Sequence, residues 1–115
     1  MLLKMMKSKI HRAKVTRADL NYEGSIGIDE YLLRAADLLP GEAVHVWNVN
    51  SGARLETYAL PSTAGSGEIC LNGAAARLVQ CGDLVIITSF CWLDEEAARK
   101  HLCKVVLVDE ANTAR

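Results

Sequence analysis

Turn-forming residues interrupt this chain at short intervals, and this limits its possible folds more than any other feature. The breaks are Gly24-Ser25 with Gly27, Pro40-Gly41, Asn50-Ser51-Gly52, the stretch from Pro61 to Gly67, Asn72-Gly73 and Gly82-Asp83. Only short elements fit between them. Lys9 to Leu20 is partly extended. Ala43 to Val49 alternates like a strand, Asn50-Ser51-Gly52 is a hairpin turn, and Ala53 to Leu60 is the returning strand. Glu68 to Leu71, Leu84 to Trp92 and Lys104 to Val108 read as further strands, and the run Leu84-Val85-Ile86-Ile87 makes the second of these the most buried-looking. Two brief helices are predicted. Asp29 caps one, with Leu32, Leu33, Ala36 and Leu39 at helical spacing before Pro40-Gly41 ends it. Asp94 caps the other, with acids first and Arg99 and Lys100 last, as the helix dipole favours. Asn72 to Ala76 opens a turn or one helical turn, and Gly24 to Gly27 is a flexible break. The pattern predicts a mainly β protein, a barrel with short helices.

Length and composition narrow the classes. A chain of 115 residues is one domain's worth. It is too short for a Rossmann enzyme or a TIM barrel, which run to roughly 200 residues or more. Half the residues are hydrophobic and 23% are charged, which supports a compact globule over a disordered chain. The net charge of −1 gives no general attraction to nucleic acid. Residues 1–17 are basic without an acid, but they lack the apolar core and cleavage site of a targeting peptide. They read as a strand with solvated Lys and Arg on one side. With no run of about 20 apolar residues, no membrane span is expected. Cys70, Cys81, Cys91 and Cys103 form no C-x-x-C pair, so a zinc site is not expected. Three of the four sit among apolar neighbours and read as buried thiols in a reducing cytoplasm.

No Walker, dinucleotide or metal-helix motif is present. The chemistry lies in a set of scattered residues. Lys9-Ile10-His11-Arg12-Ala13-Lys14-Val15-Thr16 is followed by Ala18-Asp19-Leu20-Asn21-Tyr22-Glu23-Gly24-Ser25. Further on come Trp47-Asn48-Val49, Gly52-x-Arg54, Thr57-Tyr58, Asn72-Gly73-Ala74-Ala75-Ala76 and Gly82-Asp83-Leu84-Val85-Ile86-Ile87. In this order the segments closely resemble the pyruvoyl-dependent aspartate 1-decarboxylases. The likeness fades beyond Cys91 into a variable tail. The resemblance implies a double-psi β-barrel assembled as a homotetramer, with active sites between subunits. It implies conversion of L-aspartate to β-alanine and carbon dioxide for pantothenate and coenzyme A synthesis. It also implies self-cleavage between Gly24 and Ser25, giving a β chain (residues 1–24) and an α chain (residues 25–115).

The residue chemistry agrees with that implication. Decarboxylation of an amino acid leaves electrons on the α-carbon, and a protein-derived carbonyl can accept them where pyridoxal phosphate is absent. The Ser25 hydroxyl can attack the Gly24 carbonyl and turn the peptide into an ester. Elimination then leaves dehydroalanine, and hydration with loss of ammonia gives a covalent pyruvoyl group at position 25. Gly24 lacks a Cβ and tolerates the strained backbone that such an attack needs. The resemblance gives Thr57 a role in stabilising the oxyanion, and Asn72 is a second candidate for processing or substrate contact. A Schiff base would then join the substrate amine to the pyruvoyl ketone. The resemblance makes Tyr58 the general acid that reprotonates the α-carbon. Arg54 offers a bidentate fork for a carboxylate and Lys9 a second positive charge. Gly73, Ala74 and Ala75 are small enough for their backbone amides to approach a ligand. Tyr22, His11 and Trp47 match family positions near the site and take supporting roles.

On a regular strand Arg54 and Tyr58 share a face and Thr57 points the other way. Uniting all three requires a twist, a bulge or a neighbouring subunit. The sequence leaves open whether an accessory maturation factor assists cleavage. Other readings are a catalytically inactive barrel-type binding module, a pyruvoyl decarboxylase for a different amino acid, and nucleic-acid binding through the basic N-terminus.

Overall fold

Alternation of inward apolar and outward polar side chains builds most of this protein, and the computed structural model describes residues 1–115. The strands are β1 (Leu2–Lys14), β2 (Arg17–Asp19), β3 (Ser25–Asp29), β4 (Ala43–Asn48), β5 (Arg54–Ser62), β6 (Ile69–Asn72), β7 (Leu84–Asp94) and β8 (Lys104–Leu107). Two short helices, α1 (Glu30–Ala35) and α2 (Glu95–Lys100), and a 3-10 helix (Gly73–Leu78) complete it. The mainly β expectation holds. β4 shows why: Val44, Val46 and Asn48 point inward, and His45 and Trp47 point outward.

The eight strands run in the order β2-β6-β3-β5-β4-β7-β1-β8. Only Val15 and Thr16 separate β1 from β2, yet β1 pairs with β7 and β8 while β2 pairs with β6. The linking residues are themselves tied down, Val15 N donating to Asp83 O and Thr16 N to Ile69 O. The first 19 residues thus join both ends of the strand order, and the sheet curls around an apolar centre. Ile10, Ile26, Val44, Val46, Ile69, Leu71, Val85 and Ile87 fill that centre, all essentially removed from water. The basic N-terminal stretch is a strand, as its composition suggests, and it begins earlier than Lys9.

Several local expectations fail for physical reasons. Gly24 to Gly27 does not form a flexible break. Residues 25–29 form β3, wholly buried between β5 (parallel) and β6 (antiparallel). Pairing on both sides outweighs the local glycine signal, and Gly27 supplies space: a Cβ there would stand 2.7 Å from Ser62 Oγ. Leu39 does not belong to the α1 stripe and is exposed. Asp37 takes φ 57°, Leu38 N donates to Leu33 O, and Asp37 N to Arg34 O. This Schellman closure stops the helix early and puts Leu38 inside in place of Leu39. The expected Asp29 cap is present: its Oδ1 accepts from Tyr31 N at 2.9 Å and from Gly65 N at 3.0 Å. Its Oδ2 accepts from Gly67 N at 2.8 Å. Of the four cysteines only Cys70 is buried: Cys81 is exposed in a turn, and Cys91 and Cys103 are half-buried. β7 is buried in its first half only, and Trp92 is exposed.

The tail carries an unforeseen fastening. Asn112 is buried, its Oδ1 accepting from Lys14 N while its Nδ2 donates to Lys14 O and Gly67 O, each at 2.8 Å. No helix is long and apolar enough to cross a membrane.

Candidate active site

Ser25 opens β3 and stands directly opposite Asn72, the last residue of β6. Ser25 is fully buried, and Asn72 Nδ2 donates to its Oγ at 3.1 Å. The chain turns immediately after Asn72, because Gly73 adopts φ 67°. A Cβ on Gly73 would stand 2.9 Å from both Cα and N of Gly24. The missing side chain therefore lets the Gly73 backbone lie directly against the backbone of Gly24, the first residue of the Gly24–Ser25 peptide.

Two small cavities flank that peptide. One, about 240 Å³, is lined by Gly24, Thr57, Asn72, Ala74 and Ala75 among others. The other, about 180 Å³, is lined by Ser25, Tyr22, Arg17, Cys70 and Asn72 among others. Asn72 reaches both. Thr57 faces the first cavity because its register partner is Val44, an inward residue of β4.

Tyr58 belongs to the opposite face of β5. Ala59 pairs with Ile26 in parallel register, so Tyr58, one residue earlier, stands level with Ser25 across the β3–β5 pair. Arg54, Glu56 and Tyr58 are the exposed residues of this face, as alternation predicts.

The expected cations lie elsewhere on the chain. Arg54 is four residues from Tyr58, about 13 Å along an extended strand. Its guanidinium covers the Trp47 ring at 4.2 Å from the centroid, a cation–π contact. Lys9 is three strands away from β5, in the row Lys9–Thr88–His45–Glu56. The row Arg54–Trp47–Ile86 leads to a bulge in β1, where His11 and Arg12 together oppose Ile86. Arg12 takes φ 62° there. His11 is held below the usual histidine range, first by burial and then by the charges of Lys9 and Arg12, so the neutral imidazole dominates at pH 7. Its Nδ1 is buried without a partner.

The expected site residues thus fall into two groups on the chain. Gly24, Ser25, Thr57, Asn72, Gly73, Ala74 and Ala75 come together with Tyr58 at the same level, while Lys9 and Arg54 occupy an outer patch with His11 and Trp47. Sequence reasoning missed Arg17 and Cys70 beside Ser25. Strand alternation offered a signal, because Cys70 and Asn72 are two residues apart and share a face of β6.

The chain is thus a small mainly β domain that buries Ser25 next to an exposed Gly24 and holds Lys9 and Arg54 away from both. The family model described as Aspartate decarboxylase matches residues 1–115. This chain belongs to the aspartate decarboxylase family. It is 61% identical over 112 residues to the protein named Aspartate 1-decarboxylase of Pelotomaculum thermopropionicum, covering 97% of this chain and 85% of that one. It is 58% identical over 108 residues to the protein of the same name from Thermoanaerobacter pseudethanolicus, covering 94% and 92%. Among solved structures it is similar to the computationally designed msDPBB_sym2 protein, with a TM-score of 0.45 and 19% identity over 76% of this chain and 96% of that one.

Gly73 is open to a direct test. Alanine at this position would be strained at positive φ and would press on the Gly24 backbone. Gly73→Ala is expected to cost about 1–3 kcal/mol of stability. Chemical denaturation measures this, and an unchanged midpoint would show that the close approach is not needed.

Proposed function

We propose that this protein decarboxylates L-aspartate to β-alanine and carbon dioxide, using a pyruvoyl group made from Ser25 by cleavage of its own Gly24–Ser25 bond. The family match over the whole chain carries the reading. The buried Ser25, held by Asn72 beside a backbone that only glycine permits at position 73, supports its self-processing part.

The pyruvoyl group supplies a carbonyl that takes up the electrons left when carbon dioxide departs. The rest falls to the chain's own residues. Asn72 Nδ2 stabilises charge on Ser25 Oγ as it attacks Gly24. The Thr57 hydroxyl shares a cavity with Gly24 and serves the oxyanion that develops on its carbonyl. Gly73, Ala74 and Ala75 bring backbone amides to the substrate. Tyr58 returns a proton to the α-carbon. Arg54 grips one carboxylate and Lys9 adds a second positive charge.

Arg54 and Lys9 stand too far from Ser25 to serve it within one chain, and this supports a site shared between copies in a homotetramer. The double-psi barrel implied by the resemblance provides the frame. Free thiols at all four cysteines suit a reducing cytoplasm.

Intact-mass measurement under denaturing conditions tests the reading, before and after prolonged incubation with cell lysate as a source of an accessory maturation factor. The expected result is two chains of 24 and 91 residues, the larger beginning in pyruvoyl. β-Alanine should accumulate from L-aspartate and none of the corresponding product from L-glutamate. A chain that stays whole and releases no carbon dioxide would overturn the proposal and leave the inactive binding module. Release from L-glutamate alone would reassign the substrate.

A further inference from the structure

We propose that Cys70 is a positioning residue for self-cleavage, its thiol locking the Asn72 side-chain amide so that Nδ2 faces the Ser25 hydroxyl. The inference rests on the self-processing reading above. Cys70 is the one fully buried thiol of the chain, and no step described so far uses it. It pairs with Arg17 on one side and Gly27 on the other, in the middle of the β2-β6-β3 group. Its Sγ lies 3.2 Å from Asn72 Oδ1 as donor, and Arg17 Nε donates to the same sulfur at 3.4 Å. Arg17, Cys70, Asn72 and Ser25 therefore form one continuous hydrogen-bonded line that ends on the nucleophile.

The direction of that line matters. An asparagine amide has a donor end and an acceptor end, and rotation by half a turn exchanges them. With Nδ2 toward Ser25, the serine oxygen accepts a hydrogen bond, and negative charge building on Oγ is stabilised. With Oδ1 toward Ser25, the amide would instead hold the hydroxyl proton and place a negative dipole beside the developing charge. Nothing in Asn72 itself chooses between these states. Cys70 does, because its S–H is a donor and so demands Oδ1. Arg17 in turn fixes the thiol: the guanidinium is only a donor and occupies the sulfur as acceptor, which leaves the S–H to point at Asn72. A buried amide with one correct orientation is set in advance of the reaction, which is how a positioned donor contributes most.

The test separates the hydrogen bond from simple packing. Cys70→Ser keeps a donor at this position, and Cys70→Val loses the donor while adding one carbon, whose packing cost the melting temperature reads. Cleavage is followed by intact mass from freshly made precursor, with thermal melting of each variant alongside. Cleavage of Cys70→Val is expected to slow about tenfold or more, the effect of losing one oriented hydrogen bond in the reacting state. Cys70→Ser should stay within about threefold of the natural protein, even if its melting temperature is the lower of the two. Equal rates for Cys70→Val and the natural protein would overturn the inference. So would a Cys70→Ser variant as slow as Cys70→Val, which would mean that packing and not the donor is needed. If the natural protein itself stays whole, the self-processing reading fails first and this inference falls with it.

Discussion

Ser25→Ala is expected to give a folded protein that never cuts itself and forms no β-alanine. The substitution removes one oxygen from a fully buried position. Alanine fits the space, so β3 keeps its pairing with β5 and β6. The cost lies in Asn72, whose Nδ2 loses its acceptor. An unsatisfied buried donor costs about 1–3 kcal/mol, which lowers the melting temperature but leaves a domain of ordinary stability folded. Without Oγ, nothing attacks the Gly24 carbonyl and no ester forms. No carbonyl arises at position 25, so cleavage and turnover are lost together. Intact mass should show one chain of 115 residues after any length of incubation, and the decarboxylation assay should read background. Two chains and normal turnover from Ser25→Ala would end the pyruvoyl reading outright.

That variant probes the part of the site that could be read from sequence. The Gly24–Ser25 pair, Thr57 and Asn72 lie far apart along the chain, and the structure brings them together. The hairpin of β4 and β5 was also legible, because its signals are local. Asn48 Oδ1 accepts from Asn50 N and Ser51 N, and Gly52 takes φ 79° to complete the turn. Legibility ended where pairing is non-local. A Gly-Ser-x-Gly string reads as a loop until two strands enclose it, and Leu39 reads as helical until Asp37 closes the helix before it. The fastening of the tail by Asn112 depends on Lys14 and Gly67, neither of which is near it in sequence. The separation of Arg54 and Lys9 from Ser25 was legible only in part. Alternation put Thr57 and Arg54 on opposite faces of β5, but the distance of Lys9 follows from a strand order that no local pattern encodes.

Tyr58→Phe is expected to do the reverse of Ser25→Ala: it should cut itself at the ordinary rate and then turn over aspartate roughly 10²–10⁴ times more slowly. Phenylalanine keeps the ring and loses only the hydroxyl. Asn72, Thr57 and Gly73 adjoin Gly24 and Ser25 without help from the phenol, so the proposed processing has no reason to change. In the proposed reaction the proton returning to the α-carbon comes from a group level with Ser25. Tyr58 stands there, one residue before the Ala59–Ile26 pair. The hydroxyl is assigned to proton return and not to holding the substrate, so the loss should fall on kcat and leave KM close to its starting value. Near-normal kcat in a fully cut Tyr58→Phe protein would remove Tyr58 from proton return. An uncut Tyr58→Phe protein would move the residue into the processing group. Because the two variants fail at different stages, together they decide whether one peptide is both the origin of the carbonyl and the place where the substrate reacts.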